Sequence, residues 1–199
     1  LLGAETARIA GAGHVERLEL KDGRVVPCGL VVMAVGVRPE VALARTSGIV
    51  VKRGIVVDDR LATSHDNVFA IGECAEHRGA VYGLVEPAYE QARVLAAALC
   101  GEPAASYGGS VLATNLKVSG VPVFSAGDFE GIGAETIVMR DGAAGGYRKL
   151  VVRDGCLAGA VLVGDTADAL WYLELIRSGA EISNMRRVLA FGRAYAEAA

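Results

Sequence analysis

Two short apolar runs, each halted by a glycine, constrain this chain more than any other feature. Leu30-Val31-Val32-Met33-Ala34-Val35 stops at Gly36, and Val68-Phe69-Ala70-Ile71 stops at Gly72. Continuous apolar runs bounded by turn residues suit strands covered on both faces, as in a parallel sheet flanked by helices. Ligands of such sheets sit beyond the carboxyl ends of the strands. Gly72 lets a ligand approach the backbone closely, and Glu73, directly after it, offers carboxylate oxygens that accept hydrogen bonds from sugar or polyol hydroxyls. The pattern predicts an α/β chain with strand ends at Gly36 and Gly72.

Charge and composition remove several function classes. A formal net charge of -3 leaves no basic footprint for nucleic acid or an anionic membrane. No apolar run reaches the roughly 18 residues that a membrane span needs, and no signal peptide is visible, so a cytoplasmic location is expected. Cys28, Cys74, Cys100 and Cys156 form no C-x-x-C pair, and reduced thiols are expected in place of a metal or iron–sulfur site. His14, His65 and His77 lack ligand spacing and are expected on the surface or in turns. The chain opens Leu1-Leu2-Gly3 without methionine, which suits an excised domain or a fragment.

Along the chain, Asp22-Gly23 predicts a tight turn after Val15, Leu18 and Leu20, followed by the strand at 30–35. Gly11-Ala12-Gly13 lacks a third glycine and precedes a β pattern, so it reads as a turn and not a phosphate loop. Ile55-Val56-Val57 reads as a short strand. A helix is predicted from Pro87, at the first helical position, to about Cys100, with Gly101 and Pro103 at its exit. The Pro/Ala/Ser/Gly stretch from Glu102 to Gly109 reads as a linker. Beyond it the pattern is β, with hairpin turns at Asp141-Gly142 and Asp154-Gly155, then an amphipathic helix with Asp165 as N-cap and Gly179 as its end. Trp171, Tyr172 and the Met185–Phe191 tail are assigned to core in preference to an exposed apolar patch.

Taken together, Val31–Pro39 and Thr63–Glu73 resemble two segments of the FAD-dependent pyridine nucleotide oxidoreductases. That fold has two intertwined Rossmann-like domains and a C-terminal domain. The resemblance implies that Val32-Met33-Ala34-Val35-Gly36-Val37-Arg38-Pro39 closes the NAD(P)H-binding insertion. It also implies that Thr63 to Gly72 and the following acid form the second FAD motif, with Glu73 on a flavin ribitol hydroxyl, where aspartate is usual. Cys74–Gly79, Tyr82–Ala92, Thr114–Asp128 and Gly164–Asp168 are more specifically similar to the large-subunit family of NAD(P)H nitrite reductases.

The implied fold class is α/β, the C-terminal half of an FAD/NAD(P)-binding Rossmann-like oxidoreductase followed by a small α+β domain. The implied boundaries are 1–45 for the tail of the NAD(P)H domain, 46–105 for the second half of the FAD domain, and 106–199 for a C-terminal interface domain. The candidate cofactor-binding residues are Gly36, Arg38, Pro39, Gly72, Glu73, Glu86 and Pro87, with no catalytic side chain and no metal ligand. Arg38 is a cofactor contact or an exposed loop arginine, and Glu86 a flavin contact or a helix-capping carboxylate. The helix at Pro87 would direct its positive end at the flavin pyrimidine ring. No G-x-G-x-x-G occurs, so FAD and NAD(P)H would have their pyrophosphate loops upstream, and siroheme and iron–sulfur centres would lie elsewhere in a full protein. The alternatives are an assembly module in which 106–199 docks a partner subunit or a second copy, and a ferredoxin or rubredoxin reductase-type flavoprotein.

Overall fold

The computed structural model describes residues 1–118 and 120–198. Ser119, within the 114–128 segment, and Ala199 lie outside the described residues. The chain forms two compact units, Leu1–Arg38 and Pro39–Ala199.

In the first unit, β1 (Thr6–Ala10), β2 (Arg17–Leu20) and β3 (Val25–Pro27) pair antiparallel in sequence order. The Gly11–Gly13 segment makes the tight turn expected of it, with the Glu16 N–H donating to the Ala10 carbonyl at 3.0 Å. At Asp22-Gly23 the Leu20 N–H donates to the Arg24 carbonyl at 2.9 Å, and the Asp22 carboxylate accepts from the Arg24 backbone. The expected strand at 30–35 is not formed: residues 29–40 carry no regular structure, and Leu30, Val32, Met33 and Val35 are exposed. A run of this composition becomes a strand only where a ladder partner and covering layers exist, and among the described residues nothing pairs with it.

The second unit begins with α1 (Ala42–Thr46), and then β4 (Ile55–Val57) pairs in parallel with β5 (Ala75–His77) in the register Ile55↔Ala75. The expected strand at Val68–Ile71 is also corrected. It reduces to one bridge, Ala62↔Phe69, with Phe69 exposed and Ala70 buried. Left-handed Asn67 before it and Gly72 after it interrupt the extended backbone, so the ladder partner of β4 lies further along, at Ala75. Helix α2 (Val85–Leu99) starts two residues before the predicted point. Pro87 still falls in the first turn, where a missing N–H breaks no helical bond. The stretch expected to be a linker is anchored: Tyr107 is buried, and its N–H donates to the Asp59 carbonyl at 2.7 Å.

A five-stranded antiparallel sheet follows, with strands β6 (Ala113–Val118), β7 (Val121–Gly127), β8 (Glu135–Asp141), β9 (Gly146–Arg153) and β10 (Cys156–Val163). Their order is β6-β7-β10-β9-β8. Asp154 (φ 49°) and Gly155 (φ 75°) make the two-residue turn that matches the right-handed strand twist of the β9–β10 hairpin. Helix α3 (Ala169–Ser178) packs Tyr172, Leu173 and Leu175 into the core with Phe124, Leu150, Leu162 and Leu189. Its N-cap is Asp168, not the expected Asp165. The Asp165 carboxylate is engaged one turn earlier, by the Ala167 N–H at 3.0 Å and by Arg148. Gly179 ends the helix, as expected. The tail forms a 3-10 turn at Leu189–Phe191 and the short α4 (Arg193–Ala196), with Leu189 and Ala190 in the core and Phe191 exposed.

Candidate functional site

The chain enters β5 through a 3-10 turn, Gly72–Cys74, which follows the extended residue Ile71. Gly72 has φ 78°, a conformation that is strained for residues with a side chain, and it swings the chain so that Glu73 projects into solvent. Among the described residues the Glu73 carboxylate has no hydrogen bond and no ion pair, so its oxygens are free acceptors. Helix α2 lies directly against this turn. A Cβ at Gly72 would stand 3.7 Å from the Ala88 Cβ, and the Gly72 N–H donates to Gln91 Oε1 at 2.6 Å.

The N-terminus of α2 is open. Its N-cap, Leu84, supplies no side-chain acceptor, and Val85 and Glu86 hold first-turn N–H groups without a capping partner. Pro87 contributes no donor. The positive end of this 15-residue helix and the free carboxylate of Glu73 therefore flank one surface. Such a surface can accept a hydroxyl donor at Glu73 and stabilise an electron-rich group at the helix end. That is the chemistry of the ribitol and pyrimidine parts of a flavin, and the residues present fit those parts.

Gln91 is fully buried, and its Nε2 has no hydrogen-bond partner among the described residues. Leaving such a donor unmet costs about 1–3 kcal/mol, while an ordinary hydrogen bond returns about 0.5–1.5 kcal/mol. The sequence reading missed Gln91. The available signal was a polar residue at i+3 from Ala88 and i−4 from Leu95, on the face of α2 that meets the core. Nearby, Ser110 Oγ donates to Glu90 and lies beside the Tyr107 hydroxyl, and the Ser110 N–H donates to the Tyr82 hydroxyl at 3.3 Å. Burial raises the Tyr107 pKa, and hydrogen bonding to Ser110 opposes it.

His77 departs from the expected surface or turn position. It is buried, inclined against Tyr107 with ring centroids 4.8 Å apart, and its Nε2 lies 2.9 Å from Asp59 Oδ1. Its place in β5, facing the core, decides this. Arg78 completes the brace with two donors to Asp59, at 2.9 and 2.6 Å. Hydrogen bonding from Arg78, and then from His77, lowers the Asp59 pKa from 3.8 to about 2. A depressed carboxylate pKa contributes stability above its unfolded value and loses it as pH falls through the folded value. The thermal stability advantage of the wild type over Asp59→Asn is therefore expected to be full above pH 3.8 and to shrink as pH falls toward 2. Melting curves of both proteins across that window check it, and an advantage independent of pH would contradict it.

Of the residues singled out in sequence, Gly72, Glu73, Glu86 and Pro87 come together around the start of α2. Glu86 does not cap the helix: its Oε1 accepts from Arg177 Nη2 at 2.7 Å, which ties α2 to the end of α3. Gly36 (φ 82°) and Arg38 are exposed in the first unit, and Pro39 opens the second. The described residues contain no cluster of His, Cys, Asp and Glu able to hold a metal ion. None of their helices is long and apolar enough to cross a membrane.

Comparison with known proteins bears on the same segments. Residues 1–93 match the family of pyridine nucleotide-disulphide oxidoreductases, and residues 113–180 match the C-terminal domain of rubredoxin NAD+ reductase. The chain is 48% identical to the Bacillus subtilis nitrite reductase [NAD(P)H] over 94% of its own length and 24% of that protein's. It is 44% identical to the B. subtilis assimilatory nitrate reductase electron transfer subunit over 92% of its length, again 24% of that protein's. Among solved structures, the ferredoxin reductase for the CYP199A2 system from Rhodopseudomonas palustris is 27% identical with a TM-score of 0.73, over 94% of this chain and 50% of that one. The fold is a mixed α/β arrangement that corresponds to the C-terminal part of a Rossmann-like oxidoreductase. The chain thus carries a pyridine nucleotide-disulphide oxidoreductase domain over residues 1–93 and a rubredoxin NAD+ reductase C-terminal domain over 113–180, and it resembles the large subunits of NAD(P)H nitrite reductase.

Proposed function

We propose that this chain is the C-terminal part of the flavoprotein region of an NAD(P)H oxidoreductase that sends electrons through FAD toward nitrite reduction. The observation that carries the reading is the uncapped start of α2 set beside Gly72 and the unpartnered Glu73. In this reading Glu73 accepts a hydrogen bond from a ribitol hydroxyl, and the Val85 and Glu86 N–H groups face the pyrimidine edge. Gly72 keeps the backbone low enough for close approach. The segment with Gly36, Arg38 and Pro39 returns the chain from the NAD(P)H-binding part. Bound FAD supplies hydride acceptance from NAD(P)H and one-electron delivery to the next centre. Hydride transfer of this kind requires no acid or nucleophile from residues 1–199.

The proposed division is 1–45, 46–105 and 106–199, with the last part available to a partner subunit or a second copy. In this reading siroheme and iron–sulfur centres would sit in other parts of the full protein, and the reaction would be cytoplasmic. The test is FAD titration of the full-length protein followed by gel filtration. Retained flavin absorbance near 450 nm, bleached by NAD(P)H under anaerobic conditions, is the expected result. Failure to retain flavin overturns the reading. A second reading rests on the match of 113–180 to the rubredoxin reductase C-terminal domain: the acceptor would then be a small redox protein. Reduction of an added rubredoxin, with no reduction of nitrite by the full-length protein, would favour it.

A further inference from the structure

We propose that Gln91 is a positioning residue of the flavin site, a lock that fixes the Gly72–Cys74 turn against the first turns of α2. This rests on the functional reading above. Two groups must act on one ligand, the Glu73 carboxylate on the turn and the free N–H groups at the helix start. Nothing in the local sequence sets the spacing between them. Gly72 is left-handed and carries no side chain, and the turn's own bonds, from the Ala75 N–H to the Gly72 carbonyl and from Cys74 Sγ to the Ile71 carbonyl, do not tie it to α2. The anchor comes from across the gap: Gln91 Oε1 accepts the Gly72 N–H at 2.6 Å, while Ala88, on the same face of α2, packs on the Gly72 backbone. Among the described residues Glu73 itself has no hydrogen bond and no ion pair, so this bond at the adjacent residue restrains where its carboxylate projects.

The amide is a poor device for stability alone. It is fully buried, its Nε2 makes no well-formed hydrogen bond among the described residues, and the cost of such a donor is at least comparable with the return from one neutral acceptor bond. A side chain chosen only to fill the space would be apolar. What the amide provides is a directional acceptor at a fixed position on a rigid helix, which an apolar side chain does not.

The experiment uses the full-length protein in wild-type form and as Gln91→Met and Gln91→Glu. Methionine fills similar volume without the oxygen acceptor. Glutamate keeps an oxygen acceptor for the Gly72 N–H in either protonation state. Each variant is assayed at a temperature where circular dichroism shows it folded, for FAD affinity and for the midpoint potential of the bound flavin. The expected result is an FAD Kd raised about tenfold in Gln91→Met and a shifted potential, with Gln91→Glu restoring the affinity to within about threefold of wild type. If Gln91→Met lowers the melting temperature of the flavin-free protein yet keeps wild-type Kd and potential, the residue is structural only and the proposal falls. If wild type binds FAD and Glu73→Gln weakens it while Gln91→Met does not, the positioning role alone is lost. If wild type binds no FAD, the functional reading falls and takes this one with it.

Discussion

Replacing Arg148 by methionine is expected to destabilise the Pro39–Ala199 unit by about 3 kcal/mol, a fall in melting temperature of about 6–12 °C. Arg148 rises from β9 into the C-terminal core with only 5% of its surface exposed. Its Nη1 donates to the Tyr172 hydroxyl at 3.1 Å and to the Ala190 carbonyl at 2.8 Å, and its guanidinium sits over the Tyr172 ring, 5.5 Å from the centroid. Burial pushes the Tyr172 pKa up to about 12, so its hydroxyl stays protonated and donates to the Leu189 carbonyl at 2.7 Å. One arginine thus ties β9 to α3 and to the 189–191 turn.

Buried hydrogen bonds to a charged group contribute about 1.5–3 kcal/mol each, and methionine keeps the stem while abandoning the Ala190 carbonyl. The ion pair to Asp165 adds little, because that carboxylate is 68% exposed. Urea or thermal melts of the two proteins decide the matter. A change below about 1 kcal/mol would mean that the arginine behaves as a surface group.

The second large effect is on ligand affinity. In the full-length protein, Glu73→Ala is expected to weaken FAD binding by about 10- to 100-fold, the range that corresponds to losing one charge-assisted hydrogen bond. Folding should be untouched: Glu73 is exposed and has no partner, so the flavin-free melting free energy should move by no more than about 0.5 kcal/mol. Isothermal titration with FAD and a melt of the apoprotein measure the two quantities. An affinity change under about threefold would remove Glu73 from the site, whatever the rest of the protein binds.

Legibility from sequence followed the range of the interactions involved. The Asp22-Gly23 and Asp154-Gly155 hairpins were readable because a turn is fixed by the φ angles and hydrogen bonds of its own few residues. The body of α2 and the end of α3 at Gly179 were readable for the same reason, since their bonds close within one turn. The starts were less so. The N-cap expected at Asp165 falls at Asp168, and Arg148, from a strand well before them, pairs with both carboxylates, at 3.3 and 3.6 Å. The site divided in the same way: Gly72 and Glu73 announced themselves as glycine then acid, whereas Gln91 and His77 looked like an ordinary helix residue and a surface histidine.

By itself, then, the sequence determined the two Asp-Gly hairpin turns, the bodies of the two long helices, the order of motifs and the exposed acid after Gly72. The tertiary structure decided which apolar runs pair. Among the described residues it left 30–35 without a ladder partner, reduced Val68–Ile71 to one bridge with Ala62, and paired Ile55–Val57 in parallel with Ala75–His77. It also decided which polar groups are buried: Gln91 against Gly72, His77 against Asp59, and Arg148 beneath Ala190. A turn or helix satisfies its backbone from its own neighbours. A strand, or a polar side chain in the core, depends on a partner brought from far along the chain, and only the folded arrangement supplies it.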